Sequence, residues 1–193
     1  MDEIRKDEIL PRDEYERARP ELRRRIMVLK DRRRVQLGAH ATLHFETRET
    51  MLYQVHEMLR AEGSWERPGA IEAELAAYNP IVPSGRELSA TLMLEYEDPA
   101  ERAARLQELL GLDAHLWLHV GQEAPARAVF DRAQVSPTRI SSVQYVRFPL
   151  TADQVRLVKT DGTVLRVVAD DPAYRAKAVL GEEIRKELAR DLD

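Results

Sequence analysis

The spacing of apolar and polar positions predicts strands alternating with short helices, organised around residues 35–62. Val35, Leu37, Leu43 and Phe45 carry strand character, and Gly38 permits a bend or bulge between them. His44 and Glu46 stand two apart, so they share the face opposite Leu43 and Phe45. The period then changes. Met51, Leu52, Val55, Met58 and Leu59 form the apolar stripe of a helix from Thr50 to Glu62, which Gly63 ends. Tyr53, His56, Glu57 and Arg60 fall on its other side. That polar side has two readings. His44 and Glu46 could meet His56 or Glu57 in a cleft, or the side could be a solvated face with pairs such as Glu57–Arg60, the commoner fate.

Upstream, Pro11 and Pro20 each stand where a helix can begin, which predicts one helix over Arg12–Arg19 and a second from Pro20 to about Arg34. Leu22, Ile26 and Leu29 line one side of the second. Downstream, a short helix over Ala70–Ala77 leads to a connector with two prolines and a glycine, which fixes Tyr78, Asn79 and Arg86 as cleft candidates. Asn79 serves equally as a helix C-cap. Leu88–Tyr96 alternates as a strand, and Asp98-Pro99-Ala100-Glu101 starts a helix that buries Leu106, Leu109 and Leu110. Strands follow at His115–Val120 and Ile140–Phe148, with a turn into Arg127–Phe130 between them. Thr151 and Gln154 have capping-box spacing, Asp161-Gly162 makes a turn, and Val164–Val168 pairs with Tyr174–Val179 before a last helix, Glu182–Leu192.

Strands outnumber the helices that could serve as parallel crossovers. The expected fold is α+β: a twisted, mainly antiparallel sheet of about six to seven strands, able to bend into a half-barrel, with helices on one face. The expected division is an N-terminal helical segment, residues 1–34, and a single α+β domain, residues 35–193, with no internal repeat.

Composition narrows the chemistry. Charged residues make up 33% of the 193, but the signs nearly cancel at a net −4, so no global basic field argues for nucleic acid. Residues 1–35 are locally basic and hold two arginine triplets, Arg23-Arg24-Arg25 and Arg32-Arg33-Arg34. A phosphate or RNA contact is one reading of them. Successive helix positions point about 100° apart and no aromatic residues interleave, so a solvated helix is favoured and nucleic acid disfavoured. Cysteine is absent, which excludes disulfides, thiol catalysis and cysteine-held zinc or iron–sulfur centres on this chain. With no signal-like segment at the start and no membrane-length apolar run, a cytoplasmic protein without a membrane role is expected.

The sequence has no glycine-rich phosphate loop, dinucleotide fingerprint, nucleophile elbow or HExxH pair. His40–His44 and His115–His119 are spaced by four, but on strands that separation is roughly 13 Å. A metal site would need several elements, and His44, Glu46, His56 and Glu57 are its candidate ligands. Such nitrogen and oxygen donors suit iron, manganese or zinc. No bound cofactor is the simpler expectation.

Residues 33–62, 73–98, 143–158 and 169–180 together resemble an uncharacterised bacterial family of about this size. The most specific pieces are Phe45-Glu46, Tyr53-Gln54, Glu57 to Arg60 with Glu62, Tyr78-Asn79-Pro80 and Gly85-Arg86. This chain has Asp171 where the family pattern has a histidine before the proline. The resemblance implies a redox or peroxide-related setting, with genes beside those for a rubrerythrin-like diiron protein and an iron–sulfur oxidoreductase. The expected role is therefore a non-enzymatic partner or assembly factor for those two proteins. The alternatives are a metal-binding protein or enzyme at the 44–62 unit, and nucleic-acid binding through the N-terminal arginines. A cleft would draw on Glu46, Tyr53, Gln54, Glu57, Arg60, Tyr78, Asn79 and Arg86.

Overall fold

A computed structural model describes residues 2–131 and 135–193. Its α-helices are α1 (Arg12–Asp31), α2 (Arg48–Glu62), α3 (Ala70–Tyr78), α4 (Pro99–Glu108), α5 (Ala152–Lys159) and α6 (Glu182–Ala189). Its strands are β1 (Arg34–Leu37), β2 (Ala41–Phe45), β3 (Glu87–Leu94), β4 (Leu116–Val120), β5 (Ala126–Arg127), β6 (Val129–Phe130), β7 (Val143–Pro149), β8 (Leu165–Asp171) and β9 (Tyr174–Leu180). The α+β class and the antiparallel pairing are as the sequence predicts. The strands do not form one sheet. They divide into a first sheet ordered β1-β2-β3-β7-β6 and a second ordered β5-β4-β8-β9, neither closed into a barrel.

One apolar core joins the two sheets. Leu43, Phe45, Leu88, Ala90 and Leu92 of the first sheet share it with Leu116, Leu118, Leu165 and Val167 of the second. Each strand supplies alternate residues to it, as the period of two requires. The chain crosses between the sheets at Ala128, the single residue separating β5 from β6. Ala128 is buried and its N–H donates to the Leu116 carbonyl. Leu106, Val158, Leu188 and Leu192 add α4, α5 and α6 with its following turn to the same core.

The other helices build outward from the first sheet. Met51, Val55 and Leu59 of α2 pack with Leu75 and Tyr78 of α3 in a second apolar cluster. Helix α1 lies over α2 through Tyr15 and Ile26, both fully buried. The two helices expected on either side of Pro20 are one continuous helix. A proline inside a helix forfeits a backbone hydrogen bond and costs about 3 kcal/mol. Here Pro20 is solvent-exposed, and burial of Tyr15 before it and Ile26 after it holds the helix together.

The second arginine triplet also departs from a solvated face. Arg32 and Arg34 are exposed, but Arg33 is only 1% exposed. Its Nε donates to the Phe45 carbonyl at 3.0 Å, Nη1 to the Glu187 carbonyl at 3.0 Å, and Nη2 pairs with the Asp191 carboxylate. Arg33 thus ties the end of β2 to α6 and the residues after it. Removing one member of a buried ion pair strands the other charge. Arg33→Met is therefore expected to lower the unfolding free energy by about 3–5 kcal/mol in urea titration. Arg33→Met combined with Asp191→Leu should recover most of that loss.

Candidate functional site

The outward-facing residues of the first sheet form the floor of a cavity of about 280 Å³. Antiparallel register aligns His44 with Thr91, and Thr91 with Tyr145, in one row across β2, β3 and β7. Met93 and Val143 make the next row. Met51 and Gln54 of α2 and Lys30 of α1 wall the space, and Glu46 enters from the link between β2 and α2.

The start of α2 sets Glu46. Thr47 is its N-cap: the Thr47 hydroxyl accepts from the Thr50 N–H, and the Thr50 hydroxyl accepts from the Thr47 N–H. Thr50 Oγ1 then lies 2.6 Å from Glu46 Oε2, and Thr91 Oγ1 lies 2.6 Å from Glu46 Oε1. The carboxylate is almost fully buried, with Lys30 Nζ 4.0 Å from Oε1. His44 is half-buried, and burial lowers its pKa against the pull of Glu46, favouring the neutral ring. Its Nδ1 is buried and has no hydrogen-bond partner. Burial, reinforced by a hydrogen bond with Tyr78, raises the Tyr145 phenol well above its usual range. The cavity therefore offers an acceptor at Glu46, a free nitrogen at His44, an amide at Gln54 and a charge at Lys30 beside the apolar side chains of Met51, Met93 and Val143. Such a set suits a small polar molecule.

The four metal-ligand candidates divide into two pairs. His44 and Glu46 line the cavity, whereas His56 and Glu57 lie under α1. His56 Nε2 accepts from the Leu10 N–H at 2.9 Å. Its Nδ1 must then carry the proton, which it donates to the Leu52 carbonyl at 2.8 Å. The ring stacks on Tyr15 with centroids 4.6 Å apart. Glu57 takes two hydrogen bonds from Arg19, at 2.7 and 2.8 Å, and one from the Tyr15 hydroxyl at 2.7 Å. Arg60 pairs with Glu16 rather than with Glu57. Among the described residues no group of three or more histidines and acids is placed to hold a metal ion.

The cleft candidates scatter likewise. Glu46 and Gln54 reach the cavity, while Tyr53, Glu57 and Arg60 serve the α1 contact. Tyr78 packs edge-on against Tyr145 in a neighbouring hollow. Asn79 binds both backbone groups of Ile4, Oδ1 accepting at 2.8 Å and Nδ2 donating at 3.0 Å. Arg86 lies in a separate cavity with Leu150 and Asp193. Sequence reading missed Lys30, Thr91 and Tyr145. Thr91 was legible as an outward position of its strand, but only the pairing register sets it beside His44.

A two-sheet α+β protein with a small polar cavity on its helix-covered face is the class this arrangement defines. Residues 3–192 match the model of a family described as protein of unknown function (DUF3501), and the chain belongs to that family. No curated protein matches it. It is similar to a novel protein of unknown function from Burkholderia pseudomallei K96243, known from a crystal structure at 1.90 Å. The two are 36% identical with a TM-score of 0.91, over 98% of this chain and 99% of that one.

The Arg19 hydrogen bond, with those from Tyr15 and Tyr53, holds Glu57 at about 2 against an ordinary 4.5. A depressed carboxylate stabilises the fold above its unfolded pKa and loses that contribution as pH falls through its folded value. Docking of α1 should therefore weaken between about pH 4.5 and 2. Trp65, whose Nε1 donates to the Leu10 carbonyl, reports it through its fluorescence in a Trp117→Phe background. Glu57→Gln should shrink this acid transition.

Proposed function

We propose that the protein is a non-enzymatic partner or assembly factor in a redox or peroxide-related system, working with a rubrerythrin-like diiron protein and an iron–sulfur oxidoreductase. The setting comes from the resemblance described above. The supporting structural observation is how α2 uses its ionisable residues. Glu57, His56 and Arg60, with Asn79 beyond α3, fasten residues 2–31 over the sheet as an outer layer. That layer turns Met27 and Val28 to solvent beside exposed Arg23, Arg24 and Arg32. A fixed helix showing aliphatic and cationic groups together suits docking to a partner with an acidic rim. Tagged protein isolated under reducing, anaerobic lysis is expected to retain the two proteins. Met27→Asp with Val28→Asp should release them without altering the circular dichroism spectrum. Recovery of a clean monomer from cells expressing both partners would overturn the proposal.

A second reading, a metal-binding or enzymatic site, is favoured by one observation: His44 and Glu46 share the cavity. Elemental analysis of the purified protein tests it. Stoichiometric iron, manganese or zinc that Glu46→Gln abolishes is the outcome this reading expects. Trace metal, with thermal stability unchanged by chelation, would remove it.

A further inference from the structure

The second sheet turns one face to the core and leaves the other to solvent. Register sets Arg127 of β5, Trp117 of β4, Val168 of β8 and Lys177 of β9 in one row across all four strands. His119, Arg166 and Val179 form the row beside it. Arg175 stands opposite Asp170 on the other side. Their burial alternates with that of the core positions: Arg127, Arg175, Lys177 and Val179 are exposed, and Trp117, His119, Arg166 and Val168 half-buried.

The cations on this face are gathered together and unpaired. Some basic residues elsewhere are engaged, as in Arg19–Glu57, Arg25–Glu49, Arg48–Glu8 and Arg185–Glu182. Arg127, Arg166, Arg175 and Lys177 form no salt bridge and no side-chain hydrogen bond among the described residues, and Arg166 Nε is buried without a partner. The one acid on the face, Asp170, accepts from Trp117 Nε1 at 3.1 Å and His115 Nδ1 at 2.9 Å through a single oxygen. It therefore tethers the indole. The chain as a whole is net −4, so four unpaired cations on one sheet face are a local excess.

We propose that this face binds single-stranded nucleic acid, Trp117 stacking on a base and the flanking cations holding the phosphates. An aromatic ring amid cations on an open four-stranded sheet supplies both terms that single strands require, stacking and phosphate neutralisation. An acidic protein would meet the same charges. However, Val168 and Val179 are the only aliphatic side chains in these rows, too little for the apolar centre of a protein interface. The proposal is independent of the partner role above and uses a different surface.

The test is fluorescence titration of the whole 193-residue chain with short oligothymidine and oligouridine across salt concentrations, following tryptophan quenching and the anisotropy of a labelled oligomer. Binding is expected at low salt and should fall steeply as salt rises. Trp117→Ala should weaken it roughly tenfold, while Trp117→Phe should retain most of it. Lys177→Ala should make the slope of log K against log salt shallower by about 0.7. Arg23→Ala with Arg24→Ala, on the α1 surface, should leave binding unchanged. Thermal melts of each variant separate lost binding from lost fold. No affinity at low salt overturns the proposal. So does equal affinity for polyglutamate, or binding abolished by the α1 variant and unaffected by Trp117→Ala.

Discussion

The packing of α1 on α2 depends on satisfying a polar helix face that has been taken out of water. Glu57, His56 and Tyr15 are each buried or nearly so, and a buried polar group without a partner costs on the order of 1–3 kcal/mol. The partners drawn from the N-terminal layer lie about forty residues away in sequence: Arg19 and Tyr15 for Glu57, and the Leu10 backbone for His56. The bonds are mutually conditional. Lifting α1 would expose Ile26 and leave His56 and Glu57 without their mates at once. That coupling fastens residues 2–31 to the rest of the fold, with Asn79 fixing Ile4 in the same way.

The cavity inherits its shape from this arrangement. Lys30 reaches Glu46 because α1 runs unbroken past Pro20, and Gln54 stands over the floor because Thr47 and Thr50 fix the start of α2. Glu46 completes the cap by accepting from Thr50, so the residue that gives the cavity its buried charge also helps to hold the helix that walls it. Chemistry and stability cannot be varied separately at this position.

Much of this was legible in the sequence where local rules decide. Strand alternation placed Leu88, Ala90, Leu92 and Leu94 on one face, and they lie in the core. The capping signals at Asp98 and at Thr151 with Gln154 are both realised. Non-local facts stayed hidden. Alternation marks which side of a strand is buried but not which sheet the strand joins, so two sheets read as one. Periodicity assigned Tyr53, His56 and Glu57 to a face away from the apolar stripe, and nothing local announces that a second helix covers it. Arg33 sat in a triplet that looks solvated, yet two of its three partners are at the far end of the chain. Pro20 is a proper start signal, overruled by burial on both sides of it.

The passage of the chain at Ala128 has its own corollary. With a single residue between β5 and β6, the strand offsets of the two sheets are locked to each other. An added or deleted residue there would turn the outward side chains of one short strand toward the core. Length variation should thus be tolerated in the surface turns while this crossing evolves by substitution only, with small side chains preferred.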